Sequence, residues 1–320
     1  MKNSEKTTKF NNTILTGADG GTAFSVVSAV TLFVAIVYSF IVLAAGESGK
    51  AFNQSDAGKF LSYFISTAGL IISAGYIALR GKFSIKETCA LKSFSPKYLW
   101  IILLLAFGTL FGLSWLNTAF IDLLGHFGYK ATVPEIPKND FKDFILCLLF
   151  ICVLPAFFEE LLFRGFILAS AKRLGTAFAV ITGGALFSLF HKNPAQTPYQ
   201  FVMGALMCLL AIKSGSLFPS VILHFINNFY IIILYFVAPE GFGFSPALEI
   251  ILGVVAIFAL GFAIYYLIKK CAQPEFEHKT TQKYLEIFDL KQQRKQFLIF
   301  ALAGIAVCAC MWIMNLFPAA

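Results

Sequence analysis

Residues 23–45 have the sequence AFSVVSAVTLFVAIVYSFIVLAA, which contains no charged side chain. A membrane-spanning helix needs about 20 consecutive apolar residues, so this stretch predicts one span. It is longer than the apolar core of a signal peptide, which covers about 7–15 residues, and we interpret it as a retained helix. Eight further apolar stretches predict spans: 60–79, 98–120, 144–170, 176–191, 199–212, 217–237, 247–268 and 297–317.

The composition of the whole chain supports this interpretation. Of its 320 residues, 58% are hydrophobic and 13% are charged, against roughly 45–50% and 25% in soluble domains. The sequence therefore predicts an all-α fold, a polytopic transmembrane helical bundle of about eight or nine spans in a lipid bilayer. The positive residues lie between the spans, which indicates membrane topology and not nucleic-acid binding. No phosphate-binding loop motif occurs, so no nucleotide is expected.

Lys and Arg predict the orientation of the bundle. They are concentrated in the N-terminus and in segments 80–97, 172–173 and 269–296, with Lys213 between two spans. All of these fall on one side if the spans alternate, and positive residues favour the cytoplasmic side. We therefore expect an integral cell-membrane protein with a cytoplasmic N-terminus.

The chain divides into four predicted parts. They are a polar N-terminus (1–22), flanking transmembrane helices (23–143), a core that carries the unusual polar residues (144–237), and C-terminal transmembrane helices with a basic loop (238–320).

Ionisable residues inside the predicted spans are few and lie close together in sequence. Glu159, Glu160 and Arg164 lie in the fourth span, His191 ends the fifth, and His224 lies in the seventh. A charge at the centre of a membrane helix costs roughly 2.5–3.5 kcal/mol on insertion scales. Such residues indicate a function or a buried pair.

Helical spacing separates the two glutamates. Glu160 and Arg164 are four residues apart, so they share a face and predict a structural ion pair. Glu159 points about 100° away and has no local partner. An unpaired buried carboxylate is a candidate general base, and we assign the chemistry to Glu159. In the alternative interpretation both glutamates are structural.

The remaining polar residues complete a candidate hydrolytic site. His224 shares a helical face with Asn228 and, less closely, with Asn227. A carboxylate such as Glu159 can take a proton from water, while His and Asn can donate to an oxyanion. Glu159, His191 and His224 also match a catalytic Zn²⁺ site with an open fourth position. The sequence leaves zinc-dependent and metal-free activation of water open.

Depth within the bilayer does not by itself bring these residues together. Counting about 1.5 Å per residue from the predicted inner ends puts Glu159 about 20 Å deep, His191 about 24 Å and His224 about 10 Å. A common site therefore requires tilt, shifted helix ends or a break near Pro155.

Other membrane proteases and transporters are less well supported. No H-E-x-x-H motif and no G-x-S-G motif occur, and every Asp lies outside the predicted spans. A transporter would commonly carry an inverted repeat, and the Glu-Glu and His patterns have no second copy. His126 and His278 lie in predicted loops and are expected to be solvated.

Three short motifs resemble the signature of a known family. In chain order they are Glu159-Glu160-x-x-x-Arg164, Phe187-x-x-x-His191 and His224-x-x-x-Asn228. Together with the run 215–224 they resemble the CPBP family, which groups CAAX prenyl endopeptidases with bacteriocin-processing and bacteriocin-immunity membrane proteins. The resemblance covers roughly residues 144–237.

The resemblance implies an intramembrane, metalloprotease-like endopeptidase that acts on a peptide or a membrane-protein segment. It implies that Glu159 and His191 activate water, and that His224 and Asn228 contact the oxyanion or a metal. It also leaves an alternative, because some distant relatives work without catalysis: a membrane scaffold or a bacteriocin-immunity protein of the same fold.

Overall fold

The computed structural model describes residues 15–81, 84–131, 135–238, 244–272, 284 and 286–317. Within these ranges the chain forms helices and their connections, without a strand. The main helices are α1 (Gly17–Ala44), α2 (Gly46–Gln54), α3 (Asp56–Gly81), α4 (Ile85–Thr88), α5 (Lys97–Gly112), α6 (Ser114–Gly125), α7 (Phe141–Leu174), α8 (Thr176–Phe190), α9 (Thr197–Ser214), α10 (Phe218–Val237), α11 (Pro246–Lys269) and α12 (Leu290–Leu316).

Eight segments in the described part of the chain are long and apolar enough to cross a membrane. They are α1, α3, α5 with α6 (Lys97–Gly125), α7, α9 with the turn before it (Pro194–Ser214), α10, α11 and α12. The predicted polytopic helical bundle is confirmed, and the protein is an integral, multi-pass membrane protein.

The predicted span 176–191 is the exception, because it corresponds to the short helix α8. This helix has 15 residues, which gives a length of roughly 22 Å. The hydrocarbon core of a bilayer is about 30 Å thick, so α8 is too short to cross it alone. His191 follows directly after its last residue.

The basic connections meet at one end of the bundle. Leu217 N donates to Ala90 O at 3.1 Å, which joins the α9–α10 turn to the segment after α4. Lys213 Nζ donates to Cys271 O at 2.9 Å and joins the same turn to the end of α11. These contacts place segments predicted to share a membrane face beside one another. That this face is cytoplasmic stays a prediction.

The first and last helices pack through glycines. A Cβ atom at Gly21 would lie 2.2 Å from Phe297 O, and one at Gly17 would lie 2.0 Å from Gln293 O. Gly17 N also donates to Gln293 Oε1 at 2.8 Å. Small residues let membrane helices approach closely, so the α1–α12 contact depends on the absence of side chains here.

We expect Gly21→Ala to lower the melting temperature, Tm, in detergent micelles. The added methyl group overlaps the backbone of α12, and overpacking of this kind costs about 1–3 kcal/mol. Gly75→Ala is the matched control, because a Cβ atom at Gly75 has nothing within 4 Å. Thermal unfolding of the two variants checks this prediction, and equal Tm values would contradict it.

Helix α7 is irregular on both sides of its two glutamates. Wider π-helical turns occupy Leu148–Val153 and Leu161–Ile167, and the α-helical segment Leu154–Glu160 lies between them. Pro155 lacks an N–H group, so it cannot bond to the carbonyl of Ile151 four residues earlier. The irregularity near Pro155 therefore has a local chemical cause.

Candidate active site

Three helices bring the predicted site residues together. His191 Nε2 lies 4.0 Å from Glu159 Oε2, and His224 Nδ1 lies 3.0 Å from Glu160 Oε1. The unequal depths that we calculated for straight spans would have kept these side chains apart, and that calculation is therefore wrong. The calculation assumed regular helices, whereas α7 contains two wider turns.

Glu160 and Arg164 form a buried ion pair. Arg164 Nη1 donates to Glu160 Oε1 at 2.7 Å, and both side chains are inaccessible to solvent. Arg164 Nη2 also donates to Gly204 O at 3.2 Å, which ties α7 to α9. The guanidinium carbon lies 4.1 Å from the centre of the Phe187 ring. The pair thus fixes α7 against two neighbouring helices.

Glu160 has a second partner that the sequence did not reveal. His224 Nδ1 lies within hydrogen-bond distance of the same oxygen that accepts from Arg164. An ionised carboxylate only accepts hydrogen bonds, so Nδ1 of His224 carries the hydrogen. The ring is thereby held with Nε2 directed away from Glu160. Because 64 residues separate the two groups, helical spacing could not predict this contact.

Glu159 and His191 present two acceptor atoms to each other. His191 Nδ1 lies 2.8 Å from Phe187 O, and a carbonyl only accepts, so Nδ1 carries the hydrogen and Nε2 of the neutral ring is an acceptor. Glu159 Oε2 is buried and has no hydrogen-bond partner among the residues that the structure describes. At hydrogen-bond lengths of about 2.8 Å, one water molecule can donate to both atoms across this gap.

Phe187 separates the two histidines. Its ring centre lies 4.6 Å from that of His191 and 5.9 Å from that of His224. Its carbonyl holds His191, and its ring packs on Arg164. The Phe-x-x-x-His spacing therefore has a physical reason, since one residue supports both the ring nitrogen and the ion pair.

Comparison with known families found a match for this part of the chain. Residues 141–230 match a family described as type II CAAX prenyl endopeptidase Rce1-like. These residues are similar to that family, and we call them the Rce1-like segment. The match covers less than a third of the chain and confirms the predicted resemblance to the CPBP family. No curated protein and no solved structure matched the chain.

Asn228, in the Rce1-like segment, bonds to the irregular part of α7 and to its neighbour in α10. Its Nδ2 donates to Ile151 O at 3.0 Å, and its Oδ1 accepts from Asn227 Nδ2 at 3.1 Å. Asn227 Oδ1 in turn accepts from the hydroxyl of Tyr199. Tyr199 was not identified from the sequence, because a single tyrosine near the start of an apolar helix gives no signal of a site.

The Rce1-like segment also contains the predicted zinc ligands. In the described ranges, no three His, Cys, Asp or Glu side chains are arranged to hold one metal ion. Of the three predicted ligands, His224 is hydrogen-bonded through Nδ1 to Glu160. The other two, Glu159 and His191, face each other. Zn²⁺ binding at His191, His224 and Glu159 stays a prediction.

His126 takes no part in this arrangement. His126 is exposed at the end of α6, where its Nδ1 lies 2.8 Å from Asp122 O. His278 lies outside the described residues.

Proposed function

We propose that the protein is an intramembrane endopeptidase of the CAAX-protease type, in which Glu159 activates a water molecule. The Rce1-like match indicates a membrane protease at the level of the family. The observation that carries the proposal is the 4.0 Å gap between Glu159 Oε2 and His191 Nε2. Two acceptor atoms at this distance can hold one water molecule between them, and a carboxylate within reach of that water can act as its general base.

The attacking water is held by both bases. It donates one hydrogen to His191 Nε2 and the other to Glu159 Oε2, which leaves a lone pair of its oxygen free for the substrate carbonyl. As the oxygen–carbon bond forms, Glu159 takes a proton. Glu159 then gives this proton to the leaving nitrogen as the carbon–nitrogen bond breaks. Water is thereby divided between the two new termini.

His224 and Asn228 are the proposed donors to the oxyanion. When His224 is protonated, Nδ1 remains on Glu160 and Nε2 can donate to the negatively charged oxygen. The amide of Asn228 carries two N–H groups, of which Ile151 O accepts one. Donors of this kind stabilise a tetrahedral intermediate more than its ground state.

The Glu160–Arg164 pair has a positioning role in this proposal. It fixes α7 so that Glu159 points away from the pair, and it holds His224 in one ring orientation. A rigid group beside the reacting atoms costs less reorganisation during the reaction. The substrate is a peptide or a membrane-protein segment, and the bundle lies in the bilayer with a cytoplasmic N-terminus.

A survey of protein termini tests the function directly. Membranes from cells that express the native chain would be compared, by mass spectrometry, with membranes that contain equal amounts of Glu159→Ala. We expect new termini only with the native chain, because the variant lacks the base. Identical termini, with both proteins folded, would contradict the protease proposal and favour the scaffold or immunity alternative.

A further inference from the structure

A chain of three hydrogen bonds connects the start of α9 with the irregular turn of α7. The hydroxyl of Tyr199 donates to Asn227 Oδ1, Asn227 Nδ2 donates to Asn228 Oδ1 at 3.1 Å, and Asn228 Nδ2 donates to Ile151 O at 3.0 Å. Asn227 is 5% exposed, so its amide is shielded from solvent.

The Ile151 carbonyl determines the direction of every bond in this chain. A carbonyl only accepts, so Asn228 must direct its NH₂ group toward Ile151 and its oxygen toward Asn227. Asn227 must then direct its own NH₂ group toward Asn228 and its oxygen toward Tyr199. Because Asn227 Oδ1 can only accept, the Tyr199 hydroxyl must donate its hydrogen to it. The orientation of both amides is therefore fixed at its two ends, by Ile151 and by Tyr199.

Pro155 explains why the Ile151 carbonyl needs this partner. In a regular α-helix the N–H group four residues later would bond to it, and Pro155 has none. Asn228 Nδ2 donates to this half-buried carbonyl at 3.0 Å. The Asn228 amide is thus bonded to the interrupted part of α7.

The location of Tyr199 connects this chain with the other half of the site. Tyr199 lies near the start of α9, which follows the short loop after His191. Ser188 Oγ, in α8, donates to Thr197 O at 2.7 Å and holds the first turn of α9 against α8. The group that orients Asn228 is therefore attached to the segment that carries His191.

We propose that Tyr199 is a positioning residue for Asn228. Its hydroxyl fixes the Asn227 amide, which fixes the Asn228 amide, so that the second N–H group of Asn228 is held toward the oxyanion. This proposal rests on the proposed function, because it assigns the donor whose orientation Tyr199 controls. Without the hydroxyl, Asn227 Oδ1 loses its donor, so the Asn228 amide is held from the Ile151 end alone and is oriented less firmly.

Tyr199→Phe tests the proposal, because it removes one oxygen atom and retains the ring. Loss of a direct oxyanion donor costs about 10²–10³ in kcat, and we expect a smaller loss of about tenfold for an indirect role, with KM unchanged. Tyr235→Phe is the matched control, because the Tyr235 hydroxyl also donates one hydrogen bond, at 3.0 Å, but its acceptor is the backbone carbonyl of Ile136. A native kcat for Tyr199→Phe would overturn the proposal.

The background of Asn228→Ala separates positioning from a general structural effect. If Tyr199 acts through Asn228, adding Tyr199→Phe to Asn228→Ala causes no further loss of kcat, since residues in one network are not additive. An equal tenfold loss in both backgrounds would overturn the proposal.

Thermal unfolding of the same four proteins gives a readout that needs no activity. We expect the fall in Tm of the double variant to be smaller than the sum of the two single falls, because the two side chains share one network. Additive falls would overturn the coupling. If the native chain cleaves nothing, the proposed function fails, while this comparison still decides whether Tyr199 orients Asn228.

Discussion

Glu159→Gln is expected to lose about 10²- to 10⁴-fold in kcat, which is the contribution of a general base. The amide retains the size of the carboxyl group but cannot take a proton from water. Because Glu159 Oε2 has no hydrogen-bond partner in the described part of the protein, its replacement breaks no hydrogen bond of that atom, and we expect Tm to stay close to native. The measurement is cleavage of a membrane-peptide substrate by purified protein, with Tm recorded in parallel.

Glu160→Gln is the matched control, since it is the same substitution one residue later. Glu160 accepts from both Arg164 and His224, so this variant should unfold at a lower temperature, whereas Glu159→Gln should not. The substitution at Glu159 should therefore lower kcat without lowering Tm, whereas the substitution at Glu160 should lower Tm. Retained turnover in Glu159→Gln would remove Glu159 from the mechanism.

Arg164→Ala is expected to destabilise the fold by about 3–5 kcal/mol, the usual cost of removing one partner of a buried ion pair. Glu160 would remain in a site that is inaccessible to solvent, and Gly204 O would lose its donor. The packing of the guanidinium on Phe187 would also be lost. The measurement is the free energy of unfolding in detergent micelles.

A double variant distinguishes the buried charge from lost packing. Arg164→Met with Glu160→Gln replaces both charges by neutral groups of similar volume, and it should be more stable than Arg164→Ala. Lys50→Ala serves as the control, because the Lys50–Glu47 pair is largely exposed and contributes little. An Arg164→Ala protein with native stability would exclude the ion pair as a structural element.

The membrane fold could be predicted from the sequence because it depends on local composition. A run of apolar residues fixes a span regardless of its neighbours, and spacing by four within one helix predicts the Glu160–Arg164 contact. The motif resemblance likewise depends on short segments, and the Rce1-like match at 141–230 agrees with it.

The geometry of the site could not be predicted in the same way. The contact of Glu160 with His224 joins two helices, and a period of 3.6 residues carries no information about a second helix. The calculated depths assumed regular spans, whereas α7 contains two wider turns. The sequence indicated a break near Pro155. It could not indicate that Asn228 in α10 bonds to the Ile151 carbonyl, because that contact joins two helices.

The glycine contact between α1 and α12 has a consequence for biosynthesis. The hydrogen bond from Gly17 to Gln293 joins residues 276 positions apart. At a synthesis rate of about 5–20 residues per second, the ribosome needs roughly 14–55 seconds to make the chain between them. During this time α1 is in the bilayer without its partner helix, and its glycine face is open to lipid or to other nascent helices. Assembly of the bundle is therefore completed only after the last helix has been inserted.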